Sequence, residues 1–134
     1  MLLGANVRIL VADESAIMRD VMRTVLRSLN HPHVVEAASG MAALRSFRGD
    51  DPPRLAFIDS ALAGPGALAV LRRIRLEYPN TFVVMVSGGH AAADLKAAIE
   101  NGADAFLVKP YRLSKVEHAL DKYYEISPRL APTG

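Results

Sequence analysis

The sequence predicts an α/β fold: a doubly wound sheet of five parallel strands, order 2-1-3-4-5, flanked by five helices. Three observations carry this. Short apolar runs alternate five times with longer segments whose apolar residues recur at helical spacing. The run Leu55-Ala56-Phe57-Ile58 is too short for a helix and apolar throughout, as a strand buried on both faces must be. Parallel strands need crossovers, and right-handed crossovers put helices on both faces of one sheet.

The elements follow in order. Val7 to Ala12 is an apolar run interrupted only by Arg8, and it ends in Asp13-Glu14-Ser15. Ile17, Met18, Val21, Met22, Val25, Leu26 and Leu29 then form one apolar stripe at helical spacing, with Met18 and Met22 filling core. Arg19, Arg23 and Arg27 lie four apart on another face; they read as a solvated face, or as a dock for an acidic partner. Asn30 to Pro32 stop the helix, with His31 in the loop. His33 to Ala37 is a short, less apolar strand that suits a sheet edge. Ser39 caps a short helix through Phe47, and Gly49 to Pro53 lead into the central strand ending at Asp59.

Gly64-Pro65-Gly66 breaks the chain before a helix marked by Leu68, Leu71, Ile74 and Tyr78. Thr81 to Val86 form another buried strand, closed by Ser87-Gly88-Gly89. The next helix carries Ala92, Leu95, Ala98 and Ile99, with Gly102 at its C-terminal cap. Ala105 to Val108 is the fifth strand and ends at Lys109-Pro110. Leu113, Val116, Leu120 and Tyr124 mark the last helix, and Pro128 and Pro132 make Ser127 to Gly134 a loose tail.

Composition excludes several classes. At 134 residues and 51% hydrophobic, the chain suits one domain with one core. A formal net charge of +2 is too balanced to point to direct nucleic-acid binding. No apolar run is long enough to span a membrane. The absence of Cys excludes disulfides and thiolate chemistry, and a reducing cytoplasm is the simplest location.

Open α/β sheets place their chemistry at the carboxyl ends of the strands. Those ends carry Asp13 and Glu14 on strand 1, Asp59 on strand 3, Ser87 on strand 4 and Lys109 on strand 5. In the proposed order these strands are neighbours, so the groups converge on one crevice. Three carboxylates there repel one another, and a bound cation removes that penalty. Oxygen donors without His or Cys favour a hard ion, Mg²⁺ first and Mn²⁺ next. A metal, a lysine and a hydroxyl around one Asp suit a dianionic group attached to that Asp. Taken singly, each residue has a plainer reading: turn or cap for the acids, turn for Ser87, surface cation for Lys109. Their joint placement argues otherwise. The four His residues do not cluster.

The segments "ILVADES", "LAFID", "VVMVSGG" and "AFLVKP", in this order and spacing, resemble the receiver domain of bacterial two-component response regulators, above all the single-domain, CheY-like chemotaxis type. The resemblance covers about residues 6 to 125 and leaves 126 to 134 as a C-terminal tail. It implies a flavodoxin-like fold in which Asp59 accepts phosphoryl from a phosphohistidine on a histidine kinase or histidine phosphotransfer protein. It implies Glu14, Asp59 and the Ala61 carbonyl as direct Mg²⁺ ligands, with Asp13 acting through water. Lys109 would pair with the phosphoryl group, Ser87 would move to bond it, and Phe106 would be the aromatic switch. Output would pass to a downstream protein through the fourth helix, fifth strand and fifth helix. Such a protein phosphorylates and dephosphorylates itself and is not a turnover enzyme. The peptide bond Lys109-Pro110 is expected to be cis.

The sequence departs from the family pattern in one loop. A proline and a glycine usually follow the phosphoacceptor at four and eight residues; here Ala63 and Ala67 stand there, with Gly64, Pro65 and Gly66 between. An altered loop path around an intact site is expected. Ser87, Glu14 and Phe106 are familiar variants of Thr, Asp and Tyr. By the same resemblance, Ala61 and Gly89 flank the line along which water would attack a phosphoryl group. Two other readings are open to the sequence. One is a receiver cut from a longer regulator with a separate output domain. The other is an aspartyl-nucleophile phosphatase, which needs a second Asp two residues after the first; here Ser15 and Ala61 occupy those places and no cap insertion is present.

Overall fold

The computed structural model describes residues 6 to 130. The elements alternate strictly: β1 (Ile9–Ala12), α1 (Ala16–Ser28), β2 (Val34–Ala37), α2 (Gly40–Arg45), β3 (Leu55–Asp59), α3 (Ala67–Glu77), β4 (Phe82–Ser87), α4 (Ala91–Glu100), β5 (Ala105–Val108) and α5 (Leu113–Leu130). The strands form one parallel sheet in the order β2-β1-β3-β4-β5, as the sequence predicts, with the less apolar β2 at an edge.

Alternation along each strand sorts side chains into two cores. Ile9, Val11, Phe57 and Val84 face α1 and α5, meeting Met22, Leu26, Val116, Leu120 and Tyr123. Leu10, Ala56, Ile58, Val83 and Met85 point the other way, against Ala43, Val70, Leu71, Ile74 and Ala98 of α2, α3 and α4. β1, β3 and β4 are buried end to end, which is why their sequences are continuous apolar runs. Each fully buried Leu, Ile or Phe contributes roughly 1.5–3 kcal/mol by leaving water.

The caps follow the sequence. The Ser15 hydroxyl accepts from the Met18 N–H at 3.2 Å, and the Ser39 hydroxyl from the Ala42 N–H at 3.1 Å. Asn30 takes the left-handed conformation (φ 67°) after α1, and the His31 N–H closes back on the Leu26 carbonyl.

Three expectations change. The α1 stripe is wider than the surface that covers it: Met22 and Leu26 are buried, but Ile17 is 76% and Val21 41% exposed. α4 buries only Ala98, leaving Leu95 and Ile99 exposed, because the helix lies lightly on its sheet edge. His31 lies in the loop after α1, as expected. It is buried, its Nδ1 2.7 Å from the Leu29 carbonyl and its Nε2 2.6 Å from the Tyr124 hydroxyl. Finally, α5 runs through Ser127 and Pro128 to Leu130, so the helix passes the expected boundary at 125; of the expected tail, residues 131 to 134 lie outside the described range.

The altered loop after Asp59 has a definite path. The Gly40 N–H donates to the Ala63 carbonyl at 2.8 Å, and a β-carbon on Gly40 would sit 1.9 Å from the Pro65 carbonyl oxygen. Gly64-Pro65-Gly66 is therefore laid directly on the first turn of α2, and Gly40 is what allows that approach. The Gly64-Pro65 peptide is cis.

Candidate functional site

Strand register brings the site together. Ala12 is level with Ile58, so Asp13 and Asp59 emerge side by side from β1 and β3. Asp59 is level with Val86, and Ser87 with Val108, which puts Ser87 and Lys109 one step beyond on β4 and β5. The Lys109 N–H donates to the Ser87 carbonyl at 2.7 Å, and the Lys109-Pro110 peptide is cis, as expected.

The centre is an ammonium held between two carboxylates. Lys109 Nζ is 2.7 Å from Asp13 Oδ2 and 2.9 Å from Asp59 Oδ1, and both acids are over nine-tenths buried. The remaining oxygens are also engaged: Asp13 Oδ1 accepts from the Ser15 N–H at 2.9 Å, and Asp59 Oδ2 from the Ala61 N–H at 3.2 Å. Burial pulls the Lys109 ammonium down, but the hydrogen bonds and charges of Asp13 and Asp59 outweigh it, and the net effect is upward. The neighbouring Tyr111 phenol is raised, first by burial; the Lys109 charge opposes this and those of Asp13 and Asp59 add to it.

The expected third carboxylate does not join them. Glu14 is exposed, and among the described residues no three His, Cys, Asp or Glu side chains are grouped so as to hold a metal ion. The repulsion between Asp13 and Asp59, assigned from sequence to a cation, is neutralised here by Lys109. The donor chemistry nonetheless suits a hard cation: two buried carboxylates, each oxygen keeping a second lone pair, with Glu14 next in sequence and Ala61 at the mouth of the crevice.

Ser87 is fully buried, but its hydroxyl does not face Asp59. It donates to Asp94 Oδ2 on α4 at 2.5 Å, and the same oxygen accepts from the Ser60 hydroxyl at 2.8 Å. Phe106 is half-buried and packs on the α2–α3–α4 side of the sheet, level with Met85.

Sequence reasoning missed three residues here. Asp94 and Ser60 form the polar cluster around Ser87; an acidic residue in the first turn of a helix was a visible signal, but an ordinary one. Arg19, read as a solvated face or partner dock, instead braces the acidic loop. Its Nη1 donates to the Asp13 carbonyl at 2.7 Å and the Glu14 carbonyl at 3.2 Å, while Nε pairs with Glu36 on β2 at 3.0 Å. Arg23 also reaches Asp20 and Glu36.

The chain is similar to known proteins. The family described as response regulator receiver domain matches residues 9–121. The chemotaxis protein CheY of Listeria monocytogenes is 26% identical over 115 residues, covering 86% of this chain and 96% of that one. The alkaline phosphatase synthesis transcriptional regulatory protein SphR of Synechococcus elongatus is 32% identical over 112 residues, covering 78% of this chain and 43% of that protein. Among solved structures, the receiver domain of NtrX from Brucella abortus superposes with a TM-score of 0.80 at 31% identity, covering 87% of this chain and 98% of that one. A CheY-like receiver domain protein from Methanospirillum hungatei gives a TM-score of 0.83 at 20% identity, covering 93% and 98% of the two chains, and shares the fold. With its family pattern spanning β1 to α5 and its acids, hydroxyl and lysine at matching strand ends, this chain belongs to the receiver domains of two-component response regulators.

Proposed function

We propose that Asp59 is the phosphoacceptor of a phosphorelay, taking its phosphoryl group from a phosphohistidine on a histidine kinase or phosphotransfer protein. The observation that carries this reading is the pairing of a buried strand-end carboxylate with an ammonium 2.9 Å away. The P–N bond of the donor breaks as a P–O bond to Asp59 forms, and the imidazole leaves. Lys109 then neutralises charge on the transferred group as well as on Asp13. Mg²⁺, when bound through Asp13, Asp59, Glu14 and the Ala61 carbonyl, would supply further charge neutralisation at the phosphoryl oxygens. The protein's own part is to hold Asp59 buried and oriented, through the Ala61 N–H and Lys109. It accepts a group and loses it by hydrolysis, and does not turn over substrate.

Output is proposed to pass through the α4–β5–α5 face to a downstream protein in the cytoplasm. Phe106 lies on this side, beside a groove of about 640 Å³ lined in part by Lys115, His118 and Lys122 of α5. Movement of Ser87 toward a phosphoryl group would leave room for the Phe106 ring to turn in behind it. No helix among the described residues is long and apolar enough to cross a membrane. Incubation with acetyl phosphate should give an acid-labile phosphoryl group only with Mg²⁺ present. Labelling of Asp59→Asn, or full labelling in excess chelator, would reject the assignment.

A further inference from the structure

The Ser87 hydroxyl has one proton, which it can donate to one acceptor at a time. In this structure the proton goes to Asp94 Oδ2, 2.5 Å away, an ionised acceptor at the short end of the hydrogen-bond range. Ser60, the residue after Asp59, donates to the same oxygen at 2.8 Å. Asp94 therefore ties the first turn of α4 to the ends of both β3 and β4.

Little else holds that end of α4. The helix buries only Ala98, its N-cap His90 makes no side-chain capping bond, and a β-carbon on Gly89 would meet nothing within 4 Å. A segment with so few packed contacts depends on its polar ties.

We propose that Asp94 is a latch: its carboxylate holds the Ser87 hydroxyl, and with it the start of α4, until a phosphoryl group on Asp59 competes for the same proton. This rests on the phosphoacceptor reading and deepens it. The competition is exclusive, because the hydroxyl cannot donate to both anions. It is also reinforced by charge. A phosphoryl dianion on Asp59 and the Asp94 carboxylate would stand on either side of Ser87 and Ser60, so losing the Ser87 bond removes an attraction where a repulsion has been added. Asp94 is thus a positioning residue. It sets the cost of recruiting Ser87, and when Ser87 leaves, the start of α4 is held through Ser60 alone.

The test uses beryllofluoride, a tetrahedral phosphoryl mimic on carboxylates, titrated in excess Mg²⁺ and followed by amide NMR. Asp94→Ala should bind it about tenfold more tightly than the parent, the scale of one hydrogen bond to a charged group. Asp94→Asn, which keeps an acceptor oxygen without the charge, should fall between. In a Ser87→Ala background the effect of Asp94→Ala should shrink severalfold, to what charge repulsion alone leaves, since the two residues act as a pair. Equal affinity of parent and Asp94→Ala, or an equal gain with and without the Ser87 hydroxyl, overturns the latch. Should Asp94→Ala fail to fold, Asp94→Asn compared in both backgrounds decides by the same criterion. A parent that binds no beryllofluoride rejects the phosphoacceptor reading and the latch together; a parent that binds, with no Asp94 effect, rejects the latch alone.

Discussion

The Lys109 ammonium lies 2.9 Å from an Asp59 oxygen and acts as that carboxylate's resident counter-ion. It does the same for Asp13 at 2.7 Å, so it competes with any cation that binds between the two acids. Removing it should have two opposite effects. Lys109→Met should be less stable in chelator by about 1–2 kcal/mol, less than for a fully buried pair because the lysine is partly solvated. The same variant should bind Mg²⁺ roughly tenfold more tightly, a difference of about 1.4 kcal/mol, and gain more in Tm from Mg²⁺ than the parent does. Thermal melts with Mg²⁺ and with chelator check both; a smaller Mg²⁺ gain in Lys109→Met argues against the competition.

On the phosphoacceptor reading, Ala61 and Gly89 would flank the line along which water attacks a phosphoryl group on Asp59, and neither closes it. Ala61 is exposed, and Gly89 has no side chain and no neighbour within 4 Å of where one would begin. Neither can block the water or position it. Ala61→Lys should therefore hold its phosphoryl group longer, about fivefold or more, as its side chain occupies the water's place. Loss of radiolabelled phosphate under identical Mg²⁺ and pH measures this. Equal or faster loss means that access at this position does not limit the lifetime.

Gly40 is the point where the loop after β3 meets α2. A methyl group there would lie 1.9 Å from the Pro65 carbonyl oxygen, a backbone atom that cannot swing away as a side chain can. Gly40→Ala should cost about 1–3 kcal/mol, against the small gain that alanine ordinarily brings to a helix. Urea unfolding would show it as a lower midpoint. An unchanged or higher midpoint would mean that the loop shifts freely.

Tyr124 gives the fold an alkaline limit. Its phenol is pushed up to about 12, first by burial and then by Tyr123. The folded state thus keeps a proton that the unfolded chain begins to lose near pH 10, so stability is fully present below pH 10 and falls as pH rises toward 12. Tyr124→Phe removes that part of the slope and also the hydroxyl that faces His31. Between pH 10 and 12 its melting temperature should fall less steeply than the parent's, while near pH 7 it should be lower through loss of the His31 bond. Parallel slopes for the two proteins would argue against this role.

Periodicity determined the alternation of five strands and five helices, and the crossover rule with the doubly wound pattern gave the sheet order. They also determined that Asp13, Asp59, Ser87 and Lys109 share one edge, because each ends a strand and parallel strands carry their carboxyl ends to the same side. Tertiary structure decided what those residues touch. Lys109 reaches Asp13 across 96 residues and Tyr124 reaches His31 across 93, distances at which no local pattern carries information. Ser87 turns to Asp94 and not to Asp59, a rotamer choice made by the acceptor that α4 places beside it. Ile17 and Ile99 read as core yet stand in water, because a helical stripe records which face is apolar and not how much of it a neighbour covers. Glu14 is exposed and lies outside the acidic pair, which Lys109 balances, a partnership that exists only once β1, β3 and β5 lie in one sheet.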